Sequence, residues 1–323
     1  MVMMMEDFYF IKADKPMWPA SANVFAIKDE KEQGLILIDV GCGLPKFTKK
    51  LFEKMSAFKL NLEEVHTILI SHAHPDHMGA MEEILARLKK RNSNQLQIFI
   101  NEIEKESALN IDLLNASFDV ALVKKYFQSG VEERFKGKFD INSNFEVLCK
   151  MAQLPRDCEL HTIKDNDILK LGAYKFRVLT TPGHAPGHTS FYEINRRFLL
   201  SGDLIGEKGT AWYSPSSGGA TGYLSSLEKI ERLPVEYIYP SHGDKFSNVK
   251  ERIREIHNKI LMKDEKILQK LAEKPQTMLE LVKLFYEDQY SQMFPGLAIV
   301  ESHLIKLEQE GKIKRNETRI WKC

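Results

Sequence analysis

What this chain holds little of narrows the field before any motif is considered. Only four cysteines occur, Cys42, Cys149, Cys158 and Cys323, and no two form a Cys-x-x-Cys pair. Neither a disulfide scaffold nor thiolate zinc ligation is therefore expected, and reduced thiols in a cytoplasmic setting are. No apolar run approaches the length that spans a bilayer. The Met-rich start, from Met1 to Phe8, has no basic region and no Arg-rich amphipathic pattern, so neither export nor organelle targeting is expected. Charge of one sign is not in excess either: 46 Lys and Arg against 45 Asp and Glu leave a net charge of +1. That balance argues against a polyanion-binding surface spread over the whole molecule and leaves room for a local basic patch. Internal repeats and low-complexity tracts are absent.

What is present is ample for one large core and a second small one: 323 residues, 43% of them hydrophobic. Up to about residue 100, short β-type runs alternate with helical ones. Strands are expected from Asn23 to Lys28 and from Gly34 to Val40, the latter apolar enough for burial on both faces. A helix is expected over 46–58, then a strand ending near Ile70, a helix from about His77 to Lys90, and a strand over 96–100. Between 101 and 158, Glu- and Lys-rich stretches with helical spacing, around Glu104 to Leu114 and Val120 to Phe135, break this rhythm. They read as a helical insertion, either a mobile lid or a packed surface subdomain. The β pattern returns over 167–171, 174–179, 189–192 and 197–201, followed by a helix from Tyr223 to Arg232 and a short strand at 237–239. Beyond Phe246 come a long charged amphipathic helix over 249–273, helices near 277–286 and 296–309, and two short β runs around Ile313 and Ile320. Two domains are expected, residues 1–247 and 248–323.

The most informative segment is Ser71-His72-Ala73-His74-Pro75-Asp76-His77. Three imidazoles and a carboxylate crowd together, and each needs a polar partner when buried, for which a metal ion is the economical choice. On a strand-to-helix loop, His72 and His74 can point the same way from extended backbone while the helix start redirects Asp76 and His77. The alternative is that Asp76 is a helix N-cap and His77 a first-turn residue. Three later segments each set one candidate ligand at a strand end: Thr181-Pro-Gly-His184, Ser201-Gly-Asp203 and Pro240-Ser-His242-Gly.

In motif order and spacing, from about Asn23 to Asp244, the chain resembles the metallo-β-lactamase superfamily. The resemblance implies an α+β, four-layer αββα fold, two packed mixed sheets flanked by helices, here with the helical insertion. It makes His72, His74 and His184 the ligands of a first metal, Asp76, His77 and His242 those of a second, and Asp203 the bridge. Nitrogen and carboxylate ligands without thiolate suit two Zn²⁺ ions, with Mn²⁺ or Fe also accommodated. Ala73 stands where superfamily members with di-iron redox chemistry usually carry an acidic residue, which favours hydrolysis. A water between two such ions is acidified toward neutrality, so a metal-bridging hydroxide is the expected nucleophile. Asp203, as the bridge, and Asp76, which can also orient the nucleophile or shuttle its proton, are the candidate catalytic residues. His188 resembles a structural histidine of the superfamily that braces its loop. Asp39 is either a partner orienting the histidine loop or a plain turn aspartate. Trp212 and Tyr213 either line a substrate pocket or simply pack. His66, His161, His257 and His303 lack ligand-like company and read as surface or satisfied interior histidines.

The C-terminal order of elements resembles a winged helix. The stretch from Val300 to Ile313 is similar to the tail of a superfamily branch that includes a mitochondrial endoribonuclease acting on single-stranded RNA. Charge speaks against nucleic acid on the would-be recognition helix, where Glu301, Glu308 and Glu310 face Lys306. The wing is more basic, with Lys312, Lys314, Arg315, Arg319 and Lys322 against Glu317. A packing or dimerisation module is the expected role. The sequence thus points to a metallohydrolase of a small ester, thioester or lactone, with no membrane partner and a homodimer as a reasonable assembly. Cleavage of single-stranded RNA is the alternative. A non-enzymatic nucleic-acid-binding protein is a third reading, against which the complete ligand set argues.

Overall fold

The computed structural model describes residues 7–14, 21–89, 96–127, 149–156 and 158–323. Strands β1 (Phe8–Ile11), β2 (Val24–Asp29), β3 (Gly34–Ile38), β4 (Val65–Ile70), β5 (Gln97–Asn101) and β6 (Leu160–Ile163) form a first sheet in that order. Its first three strands are antiparallel and the rest run parallel to β3. Parallel neighbours require crossovers, and helices α1 (Pro45–Ala57), α2 (Pro75–Met78) and α3 (Met81–Lys89) lie between β3 and β5 in the chain. Helices α4 (Lys105–Leu109), α5 (Ile111–Ser117) and α6 (Val120–Tyr126) follow β5.

The second sheet runs β11-β10-β9-β8-β7, from β7 (Ile168–Leu171), β8 (Tyr174–Thr180), β9 (Thr189–Glu193), β10 (Phe198–Gly202) and β11 (Tyr237–Pro240). It is antiparallel except for the β10–β11 pair, whose crossover contains helix α7 (Gly219–Glu231).

Alternation along the strands fixes the layers. In β3, Ile36 and Ile38 meet Phe176, Val178, Phe191, Phe198 and Leu200 of the other sheet, while Leu35 and Leu37 face a core shared with Leu51, Met55, Ile84 and Leu88 of α1 and α3. In β10, Phe198 and Leu200 point between the sheets and Leu199 points to α7 residues Tyr223, Leu227 and Ile230. The result is helix, sheet, sheet, helix, as the two-faced burial of the 34–40 run implied.

Helix α8 (Val249–Glu273) belongs to two cores. Its first half, Val249, Ile253, Ile256 and Ile260, packs with α7 residues, and its second half, Ile267 and Leu271, packs on α9 (Met278–Val282), α10 (Leu297–Gln309) and the hairpin of β12 (Ile313–Arg315) and β13 (Ile320–Lys322). A capping box at Thr277 and Glu280 starts α9, and Gln276 pairs with Ile320 to tie the hairpin to the chain between α8 and α9. Among the described residues no helix is long and apolar enough to cross a membrane.

The structure departs from the sequence pattern at particular points. The expected helix over 77–90, of which residue 90 lies outside the described residues, is two helices, because the Ala80 amide donates to Gly41 O and the Asp76 carbonyl accepts from Ala22, so both bonds go to neighbouring loops. The helix near 104–114 is broken at Asn110, which is extended and whose side chain caps α5 by accepting from the Asp112 amide. Of the expected Val120–Phe135 helix, residues 128–135 lie outside the described residues, and α6 ends at Tyr126. Strands β1 and β6, at the two edges of the first sheet, have no counterpart in the sequence pattern.

Phe198 sits at the centre of the inter-sheet core, with ring centroids 5.2 Å from Phe8, 5.4 Å from Tyr239 and 5.8 Å from Phe176. Replacing it with alanine is expected to destabilise the fold by about 3–5 kcal/mol through loss of buried surface and a cavity, read from the shift of a urea unfolding midpoint.

Candidate metal centre

Four strands end at the same edge of the sandwich, and the loops that leave them build the site. The loops after β4, β8, β10 and β11 carry the histidine cluster, His184, Asp203 and His242 respectively. Their backbones are tied together: Thr189 N donates to Ser71 O at 2.9 Å and Asn23 N donates to Ser241 O at 2.7 Å. The Asn23 amide group also donates to Pro240 O and Gly243 O, which seats the His242 loop.

All seven candidate ligands converge, in two groups. His72, His74 and His184 form one, and Asp76, His77, Asp203 and His242 the other, with the potential ligand atoms of each group within 4.8 Å of one another. Asp203 faces both: its Oδ2 lies 3.3 Å from His184 Nε2, and its Oδ1 lies 3.1 Å from His77 Nε2 and 3.4 Å from His242 Nε2. Asp76 Oδ2 is 3.1 Å from His242 Nε2. Helix α2 is capped by His74, so Asp76 is a first-turn residue whose carboxylate is turned to the cluster and is not the N-cap.

The donor set fits a divalent cation. The Nε2 atoms of His72 and His74 are buried and have no hydrogen-bond partner among the described residues, and those of His77 and His184, also buried, approach Asp203 at 3.1 and 3.3 Å without hydrogen-bond geometry. Buried polar atoms are ordinarily paired, and each unpaired one costs about 1–3 kcal/mol. Such a concentration of them, all nitrogen or carboxylate, matches the ligand preference of Zn²⁺ and similar ions.

Electrostatics separates the two groups. Burial and then neighbouring imidazoles hold His72 and His74 well below the usual histidine range, and burial outweighs Asp203 to lower His184. These three are neutral, with lone pairs to offer. Burial acts the same way on His77 and His242, but Asp203 and Asp76 outweigh it, holding His77 well above its usual value and His242 up at about 10. Burial opposes ionisation of Asp203 and Asp76 as well. The imidazoles win: His242 and His77 keep Asp203 far below the carboxylate range, and His77 and His242 lower Asp76.

The rings of His72, His77 and His184 are aimed by the partner of their other nitrogen, Ser71 Oγ for His72. Asp39 accepts from Ser71 N, Ser71 Oγ and His77 Nδ1, each at 2.8 Å, and so orients the histidine loop. His184 Nδ1 donates to Trp212 O at 2.8 Å. His188 is a brace: its Nε2 accepts from Asp203 N at 3.0 Å, and burial pushes it down to about 3, so the neutral ring donates from Nδ1 to Thr181 Oγ1 at 2.8 Å. Gly202 has φ +55°, and a Cβ there would lie 2.4 Å from His188 Nε2, so no other residue fits beside this ring.

Two supporting residues are invisible to motif reasoning. Glu104, buried at 2% exposure, accepts from Ala73 N at 3.0 Å and from Gly187 N at 2.7 Å, clamping the two histidine loops together. It lies in a Glu-rich stretch that reads as helix surface; its place just past the end of β5 is the only signal that could have found it. Tyr223 of α7 donates its hydroxyl to Leu204 O at 2.6 Å and accepts from Ala211 N at 3.2 Å, holding both ends of the loop that follows Asp203.

Trp212 borders the centre, with its ring centroid 5.9 Å from that of His184 and 5.5 Å from those of Phe118 and Phe294, and Phe118 stacks on His74 at 4.5 Å. Tyr213 is instead buried, and His303 is a satisfied interior histidine that accepts from the Tyr213 hydroxyl. In the C-terminal hairpin Lys312 pairs with Glu310, Arg315 with Glu301 and Glu308, and Arg319 with Glu280, which removes much of the basic character that the sequence suggested.

Four layers of αββα, with clustered His and Asp at the sheet edge, define a metal-dependent hydrolase. The family described as Metallo-beta-lactamase superfamily matches residues 17–92 and 166–242, the two stretches that hold all seven residues. The chain carries a metallo-beta-lactamase superfamily domain. It is 26% identical over 284 residues to a beta-lactamase-like protein 2 homolog from Drosophila melanogaster, covering 86% of this chain and 80% of that protein. Another relative is hydroxyacylglutathione hydrolase GloC from Haemophilus influenzae, 24% identical over 233 residues, covering 71% of this chain and 88% of that one. Among solved structures, the metallo-beta-lactamase family protein TTHA1429 from Thermus thermophilus superposes with a TM-score of 0.75 at 22% identity, covering 99% of this chain and all of that one.

Glu104→Gln leaves one acceptor oxygen and sets an NH₂ group against the second backbone N–H. The expected result is a loss of about 1–3 kcal/mol of stability and weaker retention of metal on dialysis against a chelator, measured by unfolding and metal analysis side by side.

Proposed function

We propose that the protein is a two-metal hydrolase of small acyl compounds, esters, thioesters or lactones, with His72, His74 and His184 holding one ion, Asp76, His77 and His242 the other, and Asp203 bridging them. The observation that carries this reading is Asp203, which turns one carboxylate oxygen toward each imidazole group. Zn²⁺ suits the donor set best, with Mn²⁺ or Fe accommodated. When bound, two such ions supply a water acidic enough to ionise near neutral pH and an electrophile for the substrate oxygen. Asp203 keeps both oxygens committed to the centre because His188 accepts its backbone N–H. Asp76, held charged beside His77 and His242, is, besides a ligand, the residue placed to orient the nucleophile or to shuttle its proton.

An acyl substrate is favoured over RNA on two grounds. Trp212, Phe118 and Phe294 offer an aromatic flank beside His74 and His184, suited to an apolar acyl chain. The hairpin bases that could follow a phosphate backbone are largely paired with glutamates. The relative named hydroxyacylglutathione hydrolase, whose name gives an acyl substrate, is consistent with the choice. We read residues 1–247 as the hydrolase domain and 248–323 as a winged-helix-like unit that packs against it.

Purified protein assayed on thioesters, lactones, phosphodiesters and short single-stranded RNA at matched metal and salt is expected to turn over acyl substrates. Rapid RNA cleavage, abolished by His74→Ala while acyl compounds stay intact, would overturn the substrate assignment. Asp203→Ala is expected to lose hydrolysis while keeping a native circular dichroism spectrum, and near-native turnover in that variant would refute the bridging role.

A further inference from the structure

Resting on the two-metal reading, we propose that the C-terminal unit positions the first metal group through a buried hydrogen-bonded chain: Lys306 and Asp264, then His303, then Tyr213, whose neighbour Trp212 holds His184. Lys306 Nζ donates to Asp264 Oδ2 at 2.7 Å, His303 Nδ1 donates to Asp264 Oδ1 at 2.6 Å, and the Tyr213 hydroxyl donates to His303 Nε2 at 2.7 Å. None of the four residues is more than 8% exposed. The Trp212 carbonyl then accepts from His184 Nδ1 at 2.8 Å.

The direction of each bond is set by its neighbours. Burial works against ionisation of Asp264, but His303 and Lys306 outweigh it, so the carboxylate is charged and accepts on both oxygens. Burial keeps His303 neutral despite Asp264, which leaves Nε2 as its acceptor, and burial keeps the Tyr213 phenol protonated as donor. Lys306 also contacts Glu310 at 2.7 Å, and Glu310 pairs with Lys312, so two lysines balance two carboxylates inside the C-terminal unit. A fully satisfied buried network of this kind selects one register between packed elements, because any slip strands a polar group.

Apolar packing alone would not require it. The contact between α7, α8 and α10 already buries Leu227, Ile230, Ile256, Ile260 and Ile299. The polar chain adds direction, and it ends on the residue next to the carbonyl that aims a candidate ligand. A second grip from the same unit supports the reading: buried Arg252 of α8 donates from Nε to Gly206 O at 2.8 Å and from a guanidinium nitrogen to Gly209 O. The loop from Asp203 to Trp212, which begins and ends at the candidate metal centre, is thereby held by the C-terminal unit at Gly206 and Gly209 and, through Tyr213, next to its end. Tyr213, His303 and Asp264 are positioning residues in this scheme.

Tyr213→Phe keeps the ring and removes the hydroxyl; His303→Phe breaks the chain at its middle. In full-length protein, chelator competition with Zn²⁺ and the visible spectrum of the Co²⁺-loaded form read the metal groups directly, with His184→Ala marking the contribution of the first. Tyr213→Phe is expected to weaken the first ion about tenfold, the lower end for loss of a ligand-orienting partner, to alter its cobalt bands, and to leave the second ion unchanged. The double variant is expected to be no weaker than either single one, since both cut the same chain. Wild-type affinity and an unaltered cobalt spectrum in Tyr213→Phe would overturn the proposal even if the melting temperature falls. Uptake of one ion by the unaltered protein would instead overturn the two-metal reading, and the comparison of Tyr213→Phe with it would still decide the coupling to His184.

Discussion

Five imidazoles and two carboxylates share one small region at the edge of a β-sandwich, and the carboxylate of Asp203 stands between the two groups into which they fall. In a region of low dielectric such a cluster is costly unless opposite charges and lone pairs are matched. His72, His74 and His184 are pressed toward neutrality by burial, and the two imidazoles beside Asp76 and Asp203 are pressed toward the charged form. Asp203 is the hinge of that division, and the surrounding structure is organised to keep it there.

Its backbone N–H is fixed by His188, whose ring occupies the space that Gly202 leaves open, and whose other nitrogen meets Thr181 at the end of β8. Asp39 and Glu104 perform the same task for the histidine loop, one from the end of β3 and the other from beyond β5. Strand ends supply rigidity, and carboxylates reaching backbone N–H groups supply registration. The candidate ligands therefore sit on short loops tied by hydrogen bonds to one another and to the strand ends.

Much of this was legible in the sequence because ligand motifs are local. His72, His74, Asp76 and His77 lie within one turn-sized segment, and His184, Asp203 and His242 each follow a β run. The strand over 34–40 was readable as a continuous apolar run buried on both faces, and the helix over 249–273 from a core face that repeats every three to four residues. Glu104, Tyr223 and Arg252 were not readable, because each acts on the backbone of a segment far away in the chain and leaves no pattern in its own neighbourhood. The splitting of the 77–90 helix escaped for a related reason: its lost bonds are made to loops around Gly41 and Ala22. The edge strands β1 and β6 escaped as well; length is not the reason, since β7 and β11 are also four residues each and were readable.

The central claim is that Asp203 joins two metal ions. Crystals of the protein loaded with Zn²⁺, measured on both sides of the zinc absorption edge, test it directly through anomalous difference density. The account predicts two peaks, one among His72, His74 and His184 and one among Asp76, His77 and His242, with an oxygen of Asp203 bound to each. A single peak, or two peaks with Asp203 bound to neither or to one alone, would contradict it.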